Sequence, residues 1–426
     1  MRGVRVGQRT ALIYGPGYGD YRFNEEHPFN PLRLRLCVEL IEACGLLTEE
    51  HTLVGPRQAS RAELELAHSP AFLDAVEAAG EGTLDEETAA RFGLGTEDVP
   101  IFPGMARAGA LVVGGSLLAA ELVMEGRVDH AFNIGGGLHH AGRSLASGFC
   151  VYNDIIVVCR WLIDRYGARV LYVDNDAHHG DGVQDAFYDT DRVLTVSFHE
   201  TGRYLFPGTG TVQERGRGPG YGYSVNVPLD AFTDDASWLE GFEELVPALA
   251  RAYRPDVIVM QNGCDGHYLD PLTHLHATTR TVERAAQVVH QLAHELCDGR
   301  LIALGGGGYD IWRVTPRAWA LVWAELGDQR APEEVPESWL ARWSGQSPVP
   351  LPRRMRDAPD ACAPIPRQRE VAANNAYTYG RVRQVGLPLV KSGGRAVGQS
   401  GSGSGASASC ACEGPRGRNV ASKPRQ

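Results

Sequence analysis

"VLYVDNDAHHGDGV", residues 170–183, places three aspartates and two histidines in the eight positions from Asp174 to Asp181, directly after four apolar residues. A short apolar run of this kind reads as a buried strand. A buried strand gives no structural reason for five ionisable groups at its end. Four similar runs occur: "AFNI" (131–134), "VLTVSF" (193–198), "DVIVMQ" (256–261) and "LIALGG" (301–306). Amphipathic stretches lie among them, such as "DIIVVCRWLIDRYG" (154–167) and "TVERAAQVVHQLAHELCDG" (281–299). Strands alternating with helices predict an α/β fold with a parallel sheet.

Four of these runs pass straight into polar clusters. "AFNI" continues as "GGGLHHAG", "VLYV" as "DNDAHHGDG", "DVIVMQ" as "NGCDGH" and "LIAL" as "GGGGYD". In an open parallel sheet, ligands bind beyond the carboxyl ends of the strands, so all four clusters are expected on one edge. Asp174, Asp176 and His178, at i, i+2 and i+4, would share a face in extended chain, and Asp265 arrives from another strand end. One histidine with two aspartates makes an open zinc site with room for water and substrate. His139 and His140 are either further ligands or acid–base groups, each needing a partner on its second ring nitrogen. Asp174 and Asp181 are available for that. Tyr309, after four glycines, could reach a developing oxyanion. "GGGG" (305–308) is not followed by Lys-Ser/Thr, no GxGxxG opens a helix after a strand, and neither HExxH nor GxSxG occurs, which argues against nucleotide binding and those hydrolase types.

Composition narrows the class. The 426-residue chain is 43% hydrophobic and 22% charged, ordinary values for a globular protein. Apolar runs fall short of the roughly 20 residues of a membrane span, and "MRGVRVGQRTALIYG" has no secretory h-region, so the expected location is the cytoplasm and no membrane partner is expected. Nine cysteines without a CxxC pair read as reduced thiols, and the lone CxC of Cys410 and Cys412 is too little for a zinc site. Residues 372–426 hold eight basic residues against one acidic, leaving residues 1–371 at −18. That acidic body argues against nucleic acid as a partner. "KSGGRAVGQSGSGSGASASCACEGPRGR" is Gly/Ser-rich and cannot bury enough surface to offset its ordering entropy. The folded domain is therefore expected over residues 1–357, with a flexible Pro/Gly/Ser-rich tail over 358–426.

Taken together, "GGGLHHA", "DNDAHHGDGV", "VSFH…LFPGTG", "YSVNVPL" and "GGGGYD" resemble the zinc-dependent histone deacetylase superfamily, over about residues 14–330. "GGGGYDIWRVTPRAW" and "VPESWLARW" most resemble its bacterial acetoin-utilisation deacetylases. The resemblance implies a single-domain, three-layer α/β/α fold with a mostly parallel central sheet, of the arginase/deacetylase type. It implies one Zn2+ per chain on Asp176, His178 and Asp265. It implies His139 and His140 as an acid–base pair, supported by Asp174 and Asp181, with Tyr309 stabilising the tetrahedral intermediate. Gly148 and Phe149 of "SGFCVYND", with Phe206, would line the acyl-lysine tunnel, Asp98 would hold the substrate backbone, and Arg33 would line an internal acetate channel. Potassium ions are implied near Asp174, Asp176, His178, Ser197 and Phe198, and near Phe187, Thr190, Val193 and Tyr223. The substrate would be an acetylated protein or a small acetylated amine such as an acetylpolyamine; oligomeric state is not implied. Leu138 stands where eukaryotic members have Trp, and the loop from His199 to Phe206 is one residue longer. "DAHHGD" is also similar to the ligand pattern of dimanganese ureohydrolases, although its next carboxylate, Asp181, comes one residue late. A non-catalytic binder of acetylated ligands would have lost a ligand or the tyrosine, and this sequence has lost neither.

Overall fold

The structure, a computed structural model, describes residues 9–391. Eight strands form one sheet: β1 (Thr10–Ile13), β2 (His51–Val54), β3 (His130–Asn133), β4 (Val170–Asp174), β5 (Val193–Glu200), β6 (Ser224–Leu229), β7 (Val257–Gln261) and β8 (Leu301–Leu304). Their order is β2-β1-β3-β8-β7-β4-β5-β6, and all seven pairings are parallel. The last two strands in sequence, β7 and β8, fill the gap between β3 and β4. Thus the four strands with polar clusters at their ends are neighbours in the middle of the sheet. Every residue of these four strands is buried, which explains their unbroken apolar runs; strands covered on both faces do not alternate.

Helices cover both faces. Leu32–Ala43, Thr315–Leu326, Thr279–Leu296 and Asp235–Tyr253 pack in series in one layer, and Pro70–Glu81, Met105–Met124 and Asp154–Tyr166 in the other. The expected three-layer α/β/α arrangement is present. Met105–Met124 is, by length and composition, apolar enough to cross a membrane, contrary to the expectation that no run reaches that size. Since 72% of its most apolar window is buried, it is a core helix here. The seven described cysteines are free thiols; Cys410 and Cys412 lie outside the described residues.

The boundary expected at residue 357 is too early. Gln368–Val385 is a helix that packs on Asp235–Tyr253 and on β6. Val371, Asn375, Tyr379 and Val382 are its buried residues, an i, i+4, i+8, i+11 stripe on one face. The Asn375 amide donates to Thr233 Oγ1 at 2.7 Å and Ser237 Oγ at 2.9 Å, while its carbonyl accepts from the Asp230 amide at 2.9 Å. The Tyr379 hydroxyl donates to the Ser237 carbonyl at 2.8 Å. A four-residue stripe leaves a weak mark on composition when a long Gly/Ser segment follows it. The expected flexible tail beyond Lys391 lies outside the described residues.

Asp357 ties this region to the core. Its carboxylate lies 2.9 Å from His267 Nε2, accepts from Arg317 Nη2 at 2.9 Å and accepts from the Thr279 amide at 3.0 Å. Burial opposes its charge, but the bond from His267 and the Arg317 guanidinium hold its carboxyl well below the usual carboxylate range. Arg317 is 2% exposed, so Asp357→Asn leaves a buried guanidinium without its counter-charge, at a cost of about 3–5 kcal/mol near pH 7. Because the folded pKa lies below the unfolded value of about 3.9, this stabilisation is complete above that value and is lost as pH falls through the folded pKa. Urea unfolding of wild type and Asp357→Asn should therefore differ most near pH 7, and the gap should narrow below about pH 4. A gap independent of pH would contradict the ion pair.

Candidate active site

Beyond the carboxyl ends of β3, β4, β7 and β8 the four polar segments meet. β4 stops at Asp174, so Asp176 and His178 do not share a face of extended chain as their spacing suggested. The chain turns instead. The His178 amide donates to Asp176 Oδ1 at 3.0 Å, and the Asp176 amide donates to Asp174 Oδ1 at 3.1 Å. These two aspartate turns bring His178 Nδ1 to 3.2 Å from Asp176 Oδ1 and 2.8 Å from Asp265 Oδ2. Asp174 is turned away from that group. Its Oδ2 lies 2.9 Å from His139 Nδ1 and accepts from the Tyr172 hydroxyl at 2.6 Å.

Asp176, His178 and Asp265 offer one nitrogen and two carboxylate oxygens within 4.8 Å of one another, all from buried residues. Asp176 Oδ2 further accepts from Gln261 Nε2 and from the Gly307 amide, each at 2.7 Å, and Asp265 Oδ1 accepts from the Ala177 amide at 2.9 Å. Burial, and then the charge of Asp176, raises the Asp265 carboxyl to about 6. Burial resists charging His178, yet its bonds to the two carboxylates raise its pKa well above the ordinary value. Two buried carboxylates facing one imidazole are the donor set of an open divalent-metal site. The surroundings are cut to fit them: a Cβ on Gly307 would lie 2.3 Å from Asp265 Oδ2 and 2.8 Å from Asp176 Oδ2. The residues present therefore fit a zinc ion.

His139 and His140 stand beside this group with ring centroids 3.9 Å apart. His139 Nε2 is 3.9 Å from Asp176 Oδ1, and His140 Nδ1 is 2.7 Å from Asp181 Oδ1. Burial opposes charge on His139, but Asp174 and Asp176 outweigh it and raise its pKa to about 9. Burial and the neighbouring His139 lower His140 to about 4. His179 bonds Thr209 Oγ1 at 2.8 Å through Nδ1 and lies tilted against His199, with ring centroids 4.8 Å apart. It supports the "FPGTG" loop.

The rim residues converge as well. The Phe206 ring lies 5.0 Å from His140 and is 44% exposed. The Phe149 ring lies 5.7 Å from Tyr309 and 4.5 Å from His27. Gly148 has a φ of +54°, and a Cβ there would strike His140 Cδ2 at 2.2 Å, so only glycine fits. Its amide donates to Asp98 Oδ2 at 2.6 Å. Arg33, 2% exposed, donates to the Gly308 carbonyl at 3.1 Å and packs over Phe29 and Trp319. It borders a small internal cavity shared with Tyr18, Tyr21, Phe29 and Leu138. Burial of Tyr309, and then the charge of Asp265, raises its phenol well above the ordinary value.

Of the residues connected with potassium, Asp174 and Ser197 face each other across the β4–β5 pairing, with Phe198 next along β5. The Phe187 carbonyl accepts from the Thr190 amide at 3.3 Å, and the Tyr223 carbonyl accepts from the Thr195 amide at 3.0 Å, two residues beyond Val193. Three supporting residues escaped sequence reasoning. Asp154 is fully buried and accepts from the amides of Gly137 at 3.0 Å and Leu138 at 2.8 Å, holding the loop that carries both histidines. Gln261 is the last residue of β7, and Asp270 accepts from the Tyr309 amide at 2.8 Å. "YND" before an apolar helix was a visible signal for Asp154; the other two had none.

Comparisons with known proteins agree with this geometry. The histone deacetylase domain family matches residues 27–326. The chain is 50% identical over 372 residues to the acetoin utilization protein AcuC of Bacillus subtilis (strain 168), covering 87% of this chain and 96% of that protein. It is 43% identical over 368 residues to the AcuC protein of Staphylococcus aureus (strain MSSA476), covering 86% and 94%. The crystal structure of an HDAC homolog from Aquifex aeolicus superimposes with a TM-score of 0.77 at 29% identity, over 86% of this chain and all of that one. A crystal structure of an HDAC homolog complexed with SAHA gives 0.76 at 29% identity, over 87% of this chain. With a family match over most of its length and close relatives along the same span, the chain belongs to the histone deacetylase family, on the side of the acetoin-utilisation proteins.

Proposed function

We propose that this chain hydrolyses the N-acetyl amide of acetyl-lysine in proteins, in the cytoplasm, with one zinc ion on Asp176, His178 and Asp265, releasing acetate. The observation that carries the reading is the meeting of that three-donor group with two histidines, each on its own carboxylate, at one strand edge. When bound, zinc supplies Lewis acidity to a carbonyl oxygen and lowers the pKa of its water towards about 7. The acid–base work falls to the histidines. His140, neutral and oriented by Asp181, accepts the proton of the attacking water. His139, held protonated by Asp174, donates to the leaving amine; a pair whose surroundings push the two pKa values apart divides the roles in this way.

Tyr309, kept as the neutral phenol by burial, donates to the oxyanion of the tetrahedral intermediate. Phe149 and Phe206 hold the acyl-lysine methylenes between their rings, and Gly148 lets the wall come close to His140. Asp98, already bonded to the Gly148 amide, offers its other oxygen to a substrate backbone N–H at the rim. Acetate leaves past Arg33, whose buried charge suits a carboxylate. Potassium ions beside Asp174, Ser197 and Phe198, and beside Phe187, Thr190, Val193 and Tyr223, would steady the loops after β4 and before β6. An acetylpolyamine would use the same interior and differ only at the rim.

Tyr309→Phe should lower kcat by about 10²-fold while KM and bound zinc stay unchanged, the loss expected for one oxyanion donor; near-full turnover would refute its role. Gly307→Ala should weaken zinc binding about 10- to 100-fold in chelator competition, as loss of support around a metal ligand does, and unchanged affinity would count against the triad as ligands. On a panel of zinc-loaded assays, kcat/KM for acetyl-lysine peptides should exceed that for acetylpolyamines by about ten-fold or more. The reverse ratio would move the substrate to small amines, and no turnover of either would overturn amide hydrolysis.

A further inference from the structure

A second cluster of imidazoles lies at the opposite, amino-terminal edge of the sheet. His130 opens β3. His290 and His294 are four residues apart on the helix Thr279–Leu296, a spacing that puts both on one face. His130 Nε2 is 3.2 Å from His294 Nε2, which is 3.0 Å from His290 Nε2. Donor atoms of the three lie within 4.8 Å of one another. His130 and His290 are buried, whereas His294 is exposed on a cavity that Glu283, Gln287, Glu325 and Arg330 also line.

The three rings cannot all satisfy one another's Nε2 atoms. The Nε2 of a neutral imidazole carries either a proton or one in-plane lone pair. His294 Nε2 faces two other Nε2 atoms at bonding distance. Protonated, it has one hydrogen for two acceptors; unprotonated, it has one lone pair for two donors. Charging His130 is opposed as well, since burial first, and then the neighbouring imidazoles, lower its pKa. A cation that takes one lone pair from each ring removes the conflict. Nitrogens about 2.0–2.1 Å from a tetrahedral ion stand about 3.3 Å apart, close to the 3.0 and 3.2 Å separations here. His290 Nδ1 lies 3.4 Å from Glu325 Oε1, the carboxylate-behind-histidine arrangement that fixes the tautomer of metal-binding imidazoles.

We propose that His130, His290 and His294 form a second metal site, separate from the catalytic one, that takes Zn2+ or a similar borderline divalent ion on three Nε2 atoms. Three neutral imidazoles suit zinc, copper, nickel or cobalt and not magnesium or calcium. His290 and His294 both line the cavity, which leaves room beside them for further ligands. The ion clamps the helix Thr279–Leu296 to the start of β3, the strand whose other end leads to His139 and His140. It stabilises the folded chain because the unfolded chain does not hold the three rings together.

Metal content separates the two sites. The full chain is stripped by chelation, reloaded with Zn2+, desalted and measured for zinc per chain. Wild type should hold two ions, and His294→Ala and His178→Ala one each. Wild type holding one and His294→Ala none would keep this site and overturn the catalytic zinc instead. Equal zinc in wild type and His294→Ala would overturn the proposal. His294→Gln, with an apo Tm equal to wild type, guards against a folding defect and should also lose one ion. Added Zn2+ should raise the Tm of His178→Ala by about 2 °C or more, and no rise would equally overturn the site.

Discussion

Asp176 and Asp265 are at most 1% exposed and both point at His178. Keeping two negative charges this close, away from water, is the constraint around which the fold is arranged. Burial of an unpaired carboxylate costs several kcal/mol, so each must be met by donors in fixed positions. β7 sends Gln261 to Asp176, β8 sends the Gly307 amide to the same oxygen, and the turn after β4 sends the Ala177 amide to Asp265. Three neighbouring strands are therefore needed before both carboxylates are met. β7 and β8 come late in the chain and insert between β3 and β4, so the site is complete only when the sheet is.

Positive charge is supplied with similar economy. Arg33 is buried against Phe29 and Trp319 and bonds to the Gly308 carbonyl. Burial lowers its pKa, while Tyr309 and the site carboxylates raise it. A guanidinium keeps its charge even when buried, so this residue balances the acidic centre without competing for its ligands. Asp154 serves the opposite need. It anchors the glycine loop before His139 through backbone amides, which leaves both imidazoles free to bond Asp174 and Asp181.

The parts of this arrangement that sequence reveals are those fixed by one segment. Buried parallel strands must be apolar throughout, so β3, β4, β5, β7 and β8 could be recognised, as could the polar residues at their ends. β2 lies at the sheet edge, is only partly buried and has no unbroken apolar run, and Asn226 and Pro228 interrupt the apolar run of β6. Strand order depends on contacts between distant segments and has no local trace, so the adjacency of the four clusters could only be inferred from the rule that parallel strands open on one edge. The pairing of His178 with Asp265 has the same non-local origin. Asp176 and His178 are neighbours through an aspartate-led turn and not through strand periodicity. The helix Gln368–Val385 was lost because its buried stripe includes Asn375, a polar residue whose burial depends on Thr233, Ser237 and Asp230.

Interior and rim are held by different means. Around the three donors, Asp176 takes short bonds from Gln261 and the Gly307 amide, and Asp265 one from the Ala177 amide. At the mouth, Phe206 is 44% exposed and is placed by ring contacts with His140 and His178. The HDAC homolog from Aquifex aeolicus shares this scaffold at a TM-score of 0.77 with 29% identity. Selection among acetylated substrates then rests on loops whose shape costs little to alter. Rim changes can move specificity by a few kcal/mol without disturbing the carboxylates beneath.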